Sequence, residues 1–427
     1  MFSFTASDYK KLFSLPVVVA ALGYFVDIYD LLLFGIVRVP SLKSFGLDDA
    51  QVSSVGASIL NWQMGGLLIG GILWGILGDK RGRLSVLFGS IITYSLANIA
   101  CGFVDNADNY KILRFIAGVG LAGELGAGIT LVSEILPKNL RAIGTSLVAG
   151  IGLFGAVVAY FTVEVFGDWR IAYFVGGGLG IGLLLLRVGV VESGMFKEVS
   201  GQKNVAKGDF LSFFTNKDRF FRYIKCIGIG LPTWFVIGIL ATFANEFGKA
   251  LSIVEPIKPG LAIMWCYVGL ATGDLSSGFI SQYLQSRRKA VALMMFFTLI
   301  VCLVYLYAGI QSAKSLYGLA LLMGYGIGYW AMFVTIGAEQ FGTNLRATAA
   351  TTIPNMVRGA VILMTTLFSG FKLGIMTLPF TKISFVVPQL DTITSASIVG
   401  IISFVLGFYA IFAISETHGK DLDYLEE

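Results

Sequence analysis

The segment RFIAGVGLAGELGAGITLVSEILPKNLRA, residues 114–142, decides the fold. It stays apolar and rich in small residues for about twenty positions, enough for a helix to cross a hydrocarbon layer of about 30 Å. Two charges interrupt it: Arg114 near one end and Glu124 in the middle. A charge at that depth costs roughly 2.5–3.5 kcal/mol on insertion scales, so it belongs against a bundle interior or a wet cavity, on an ion or substrate path. The segment closes on Glu134, Lys138 and Arg141, a polar group suited to a membrane exit.

The rest of the chain supplies the surroundings that such a helix needs. Hydrophobic residues make up 56% of the 427 positions, charged residues only 13%, and the mean hydropathy is +0.80. Soluble domains carry about 25% charged residues, so this is a polytopic membrane protein. Its apolar runs are continuous rather than alternating, which selects helices over a barrel. The net charge of +5 sits in short Lys/Arg clusters between the runs, the pattern of cytoplasmic loops and not of a nucleic-acid surface. Cys101, Cys226, Cys266 and Cys302 lie singly in apolar runs and read as buried thiols. His418, the only histidine, lies in the tail and can build neither a metal cluster nor a catalytic triad. No nucleophile, base and orienter set is present, so an enzyme is not expected. No metal or cofactor is expected either.

Twelve spans are predicted. Their approximate limits are 14–37, 51–77, 84–104, 109–133, 141–166 and 170–191, then 223–248, 259–282, 290–310, 315–337, 348–371 and 396–414. The fold class is therefore all-α, with a six-helix bundle over 1–191, a cytoplasmic linker over 192–222, and a second bundle with its tail over 223–427. An even number of spans and the charge bias place both termini in the cytoplasm, in a plasma or inner membrane. The halves echo each other. Glu134 precedes Leu140-Arg141-Ala142 at the spacing by which Glu339 precedes Leu345-Arg346-Ala347, and GILGDKRGR at 75–83 has a degraded counterpart at 278–289. Parallel repeats of this kind place a substrate site at their interface, near the midplane. The long apolar loop LGIMTLPFTKISFVVPQLDTIT between the last two spans is a candidate interfacial helix.

In the first span, Asp27 and Asp30 stand three apart and share a helix face, their Cβ atoms about 5–6 Å apart. Two desolvated carboxylates that close resist double ionisation and hold a proton unless a cation intervenes. Arg114 enters from the same side and reaches the depth of Asp30, so a static buried salt bridge is the competing reading. Glu124 lies about 15 Å further along its helix, outside that contact. It reads as a second proton site, a substrate partner, or a buried protonated carboxyl. Arg358 sits about ten residues into the eleventh span, and its planar fork suits a carboxylate or phosphate, unless Asp274 pairs with it. Asn61, Gln63, Trp234, Tyr329 and Asn355 are further candidates for the cavity wall, each with packing as the alternative. The literal G-x-G-x-x-G at 118–123 follows no strand and is not a dinucleotide site.

Gly75-Ile-Leu-Gly78-Asp79-Lys80-Arg81-Gly82-Arg83 resembles the signature loop of the major facilitator superfamily, G-x-x-x-D-x-x-G-R. A plain positively charged topogenic loop explains its basic residues but not Asp79 or the glycines. The resemblance extends to Arg114-x-x-x-Gly118-x-Gly120 with Glu124, to Glu192-Ser193 and to Glu416-Thr417-His418-Gly419, which look like proton-coupled symporters of the sugar-porter-like branch. Ser415 replaces the proline of that pattern, and no arginine closely follows Ser193, which favours a relative over a true sugar porter. The Asp27-x-x-Asp30 pair resembles that of phosphate and metabolite symporters. The resemblance implies proton coupling through Asp27, Asp30, Arg114 and Glu124, the proton being the coupling ion. It also implies a cytoplasmic gate of Gly75, Asp79, Gly82, Arg83, Glu134, Arg141 and Glu192 in one half, with Glu339, Arg346 and Glu416 in the other. The expected function is proton-driven symport of a small hydrophilic metabolite, an organic anion, by a monomer in the lipid bilayer. A sugar or polyol carrier and a transporter-like sensor without flux are the alternatives.

Overall fold

The computed structural model describes residues 10–81, 83–124, 132, 136, 140–192, 210–381, 383–418 and 426. Polar residues start many of the helices and glycines end several of them. In the first half these are α1 (Leu15–Ser44), α2 (Asp49–Arg81), α3 (Arg83–Cys101), α4 (Ala107–Leu121), α5 (Arg141–Phe166) and α6 (Trp169–Glu192). The Asn106 side chain caps α4 by accepting from the Asn109 amide at 2.9 Å, and Gly167 ends α5 with a φ of 68°. After a single turn at Ser212–Thr215 come α7 (Lys217–Phe235), α8 (Ala244–Ala250), α9 (Pro259–Leu284), α10 (Arg287–Tyr307), α11 (Ala313–Gly326), α12 (Trp330–Glu339), α13 (Thr343–Leu373) and α14 (Thr392–Ala413).

The all-α twelve-span architecture holds. Nine helical stretches among the described residues are long and apolar enough to cross a membrane, and Val86–Cys101 in α3 is a shorter one. Two predicted spans are each made of two helices. The seventh runs through α7, a π-helical segment at Val236–Ala241 and then α8; the tenth breaks between α11 and α12. Pro232 stands in the last turn of α7, where its missing N–H loosens the ladder. Gly324, Gly326 and Gly328 bracket the second break. Broken helices survive at membrane depth where they line a cavity. The seventh span also starts earlier than expected, at Lys217, where Asn216 accepts from the amides of Asp218 and Arg219. The charges of its first turns extend it beyond the apolar layer.

Packing follows one scheme twice. In the first six spans α1 packs on α5 and α6, α2 on α4, and α3 on α4 and α6. In the second six, α7 packs on α13 and α14, α9 on α11, and α10 on α11 and α14. The α2–α4 contact is backbone to backbone: a Cβ at Gly66 would meet the Phe115 carbonyl, and one at Gly118 the Gln63 carbonyl. Two further contacts, α2 on α13 and α5 on α9, form the seams between the first and second sets.

The loop expected as an interfacial helix is instead a β-hairpin, β1 (Ile375–Thr377) with β2 (Ser384–Val386), paired antiparallel. Pro379 and Pro388 bracket a run of β-branched and aromatic residues, which disfavours a helix. At its tip Phe380, with a φ of 62°, lays its ring 5.6 Å from that of Trp62 in α2.

These contacts separate two kinds of glycine. Gly66→Val should lower the melting temperature of the detergent-solubilised protein markedly, overpacking of this kind costing roughly 1–3 kcal/mol. Gly178→Ala, with nothing within 4 Å of its Cβ, should leave it unchanged.

Candidate functional site

At the centre of α1, Asp27 and Asp30 are both 0% exposed, and none of their carboxylate oxygens has a hydrogen-bond partner in the structure. A buried carboxylate that accepts no hydrogen bond is expensive to ionise. Asp27 faces the seam: its Oδ2 lies 4.0 Å from Nη2 of Arg358, the outer limit of an ion pair. Arg358 comes from α13, one helical turn beyond Pro354 and Asn355. Its Nη1 donates to Asn355 Oδ1 at 3.4 Å, and its guanidinium lies 6.0 Å from the ring centre of Trp234.

Arg358 forms one wall of a small cavity lined in equal part by aromatic side chains, Tyr24, Trp234, Tyr267 and Trp330, and by aliphatic ones, Ile28, Leu153, Ile237 and Leu270, with Thr233. The volume is about 10 Å³, room for about one water, so side chains nearly fill the chamber in this conformation. Trp234 and Trp330 meet edge to face at 6.5 Å, and Nε1 of Trp234 is buried without a partner. Both broken spans therefore end at the chamber: Trp234 precedes the π segment and Trp330 starts α12.

Arg114 is also 0% exposed and reaches the depth of Asp30 as expected, but its described hydrogen bonds go to no first-span carboxylate. Its Nη2 donates to the backbone carbonyl of Asp30 at 3.1 Å, Nη1 to Asn98 at 2.7 Å and Nε to Gln63 at 3.3 Å. It is held inside the first six helices, while Asp27 turns to the seam. Glu124 lies away from this group, as its helical offset requires. Its carboxylate takes a two-pronged contact from Arg187 of α6, at 3.0 and 2.8 Å, and a hydrogen bond from Ser90 at 3.0 Å. Arg187 was not singled out in the sequence. It lies late in the sixth span, in LLLLRVG, where a long cation also reads as snorkelling to the interface.

The other candidates have definite partners. Gln63 donates to the Leu31 carbonyl at 2.9 Å, and Asn61 accepts from Thr365 across the α2–α13 seam. Asn355 of α13 donates to the Ala122 carbonyl, at the end of α4, at 3.1 Å. Tyr329 donates to the Ile229 carbonyl at 3.2 Å. Asp274, the anticipated rival for Arg358, instead accepts from the Ala331 amide at 3.0 Å and pins the start of α12. Of the seven substrate candidates, Arg358 and Trp234 line the chamber and Asn355 touches Arg358; the others serve neighbouring helices.

Of the residues expected to form a cytoplasmic gate, those of the second half are described, and the described contacts of Glu339 and Glu416 stay within that half. Glu339 pairs with Arg287. Glu416 accepts from the Ser286 hydroxyl, from the amides of Arg287 and Arg288 at 3.2 Å, and from those of Thr417 and His418 at 3.0 Å. Arg346 lies partly buried at the start of α13. Gly82 and Glu134 lie outside the described residues, as do the side chains of Asp79, Arg83, Arg141 and Glu192 and the surroundings of Gly75.

A polar cluster at the opposite end was not anticipated. Arg38, 0% exposed, donates to the Thr242 carbonyl at 3.1 Å, Asn245 at 2.9 Å and Glu246 at 3.4 Å. Glu246 also holds Lys372, which donates to Ser53 at 2.5 Å. Each of these charges lies near a span end, where a sequence reads it as interfacial.

Comparison with known proteins agrees with this architecture. The family pattern described as Major Facilitator Superfamily matches residues 20–366. A Haemophilus influenzae protein named for metabolite transport is 28% identical over 422 residues, 95% of this chain and 96% of that one. The gentisate transporter of Corynebacterium glutamicum is 24% identical, over 76% of this chain and 73% of its own. A crystal structure of a D-xylose-proton symporter superposes with a TM-score of 0.68 at 15% identity, covering 95% of this chain and 99% of that one.

Two outcomes follow from the paired groups. Arg187→Leu should destabilise the protein by about 3–5 kcal/mol by stranding Glu124, and adding Glu124→Leu should restore most of that loss in unfolding measurements. Burial raises the Glu416 carboxyl, but the Ser286 hydroxyl and the amides of His418, Arg288 and Arg287 outweigh it and hold the group at about 2, below its ordinary 4.5. A depressed value stabilises the fold fully above the ordinary value and loses that contribution as pH falls toward about 2. Melting temperatures of the wild type and Glu416→Gln should therefore differ near neutrality and converge in acid.

Proposed function

Because the chain belongs to the Major Facilitator Superfamily, we propose that it is a proton-coupled symporter of a small organic anion, specifically an aromatic carboxylate. It is a multi-pass membrane transporter and not an enzyme. The observation that carries the proposal is the position of Arg358, which walls a chamber of four aromatic and four aliphatic side chains while facing the Asp27 carboxylate at 4.0 Å.

Charge balance supplies the mechanism. With Asp27 ionised, its charge and that of Arg358 cancel, and the empty carrier can change conformation. When Asp27 takes a proton, the guanidinium is free to receive a substrate carboxylate, and the charges cancel again. Substrate without the proton leaves one uncompensated negative charge at the centre, which burial penalises by several kcal/mol. Only the empty carrier and the doubly loaded one then cross, which is symport. Asp30, buried without partners, is a second place for a proton. The substrate ring packs between Trp234, Trp330, Tyr24 and Tyr267, and Trp234 Nε1 offers it a hydrogen bond. The relative named for gentisate supports this choice, since gentisate is an aromatic carboxylate. The two sets of six helices rock about the α2–α13 and α5–α9 seams. We place the protein in the plasma membrane with cytoplasmic termini, acting as a monomer.

In proteoliposomes with an inward proton gradient, benzoate should accumulate. Asp27→Asn should abolish that accumulation while leaving benzoate exchange measurable. Arg358→Lys should raise the KM for benzoate at least about tenfold, because a point charge replaces a two-pronged fork. Unaltered accumulation in the Asp27 variant, or competition by hexoses rather than by benzoate, would overturn the reading; hexose competition would favour a sugar carrier, and binding without flux a sensor.

A further inference from the structure

At the end opposite the chain termini, Glu246 and Asp49 are each shared by two cations, one from each set of helices. Arg38 belongs to α1. Its side chain passes over Gly56 of α2, where a Cβ would crowd the Arg38 side chain, and stacks 4.3 Å from the ring centre of Phe243. All its described side-chain hydrogen bonds go to Thr242, Asn245 and Glu246, at the far end of the seventh span. Glu246 keeps a second cation, Lys372, from its own side of the seam. The same arrangement recurs at the rim, where Asp49 of α2 is shared by Lys43 of α1, at 3.0 Å, and Lys249 of α8.

Separation of the two sets at this end, which the alternating-access reading requires, breaks these contacts asymmetrically. Glu246 stays with Lys372 and Asp49 stays with Lys43, because each pair rides on one side. Arg38 and Lys249 are left without their acids. Arg38 then stands on the vestibule wall eleven residues beyond Asp27, about 16 Å along α1. We propose that Arg38 is a carboxylate-binding site of the open vestibule, holding the incoming anion before it reaches Arg358. Closure returns Arg38 to Glu246, Asn245 and the Thr242 carbonyl. Those groups compete with the carboxylate for the guanidinium, so closing the gate hands the anion inward. One residue is thus both the latch of this end and its first substrate contact, with Lys249 adding positive potential at the rim.

The inference rests on the symporter reading, and the test separates the two. Benzoate transport is measured from each membrane face, in right-side-out and inside-out vesicles from cells producing the full chain. Arg38→Gln should raise the KM from the Arg38 face about five- to tenfold, with kcat changed less than about twofold and the KM from the opposite face unchanged. Arg38→Lys should recover most of the KM on that face. An equal change from both faces, or no change from either, overturns the proposal. Transport from the opposite face in the same preparation reports that the variant has folded. If Arg38→Gln does not fold, the wild type decides: its KM from the Arg38 face should rise between low and physiological salt while the other stays flat, and equal slopes overturn the proposal. Failure of the wild type to carry benzoate at all counts against the symporter reading instead.

Discussion

Asp27 and Arg358 form the contact on which the rest of the structure depends. Each is buried in the membrane interior, and each comes from a different set of six helices. Neither charge is tolerable there alone, so each set presents an ionic need that the other or a substrate must meet. The aromatic walls exclude water and make the requirement strict. A looser chamber would let solvent screen the pair, and the proposed link between proton and anion would weaken with it.

The surrounding charges are arranged to keep that centre undisturbed. Arg114 is saturated by Gln63, Asn98 and a backbone carbonyl, and Arg187 by Glu124. Both therefore stay within the first six helices as fixed parts of its packing. Arg358 differs because its described contacts are long ones, to Asn355 at 3.4 Å and Asp27 at 4.0 Å. Three buried arginines of similar chemistry are thus separated by how well they are held, and the least held is the one suited to exchanging partners.

Much of this was legible in the chain because a membrane makes charge conspicuous. Continuous apolar runs marked the twelve spans, and Asp27, Asp30, Arg114, Glu124 and Arg358 stood out within them. Their partners did not. A helical offset tells which residues share a face, but not which helix that face meets, so Asp27 and Asp30 were both set against Arg114, and Asp274 stood as the rival to a substrate at Arg358. The breaks of the seventh and tenth spans were missed since Pro232 and the glycines near 326 also suit intact membrane helices. Arg38, Glu246 and Lys372 were passed over for a different reason. Near a span end a charge reaching water and a charge locked to a neighbour look alike in sequence.

The seam contacts differ along its length, and that difference suits movement. At the Arg38 end the two sides are joined by ions and hydrogen bonds, Arg38 to Glu246, Lys372 to Ser53 and Lys258 to Glu164 at 2.7 Å. Water can replace each of these when a vestibule opens, at little net cost for the exposed Lys258–Glu164 pair and at a larger one for the buried Arg38. At the chamber the sides meet through aromatic surface around one ion pair. Opening there exposes apolar area with no comparable replacement from water, except where a substrate ring occupies the space. An end that opens readily and a centre that opens only around the right ligand is what alternating access demands, and the division follows from which contacts water can replace.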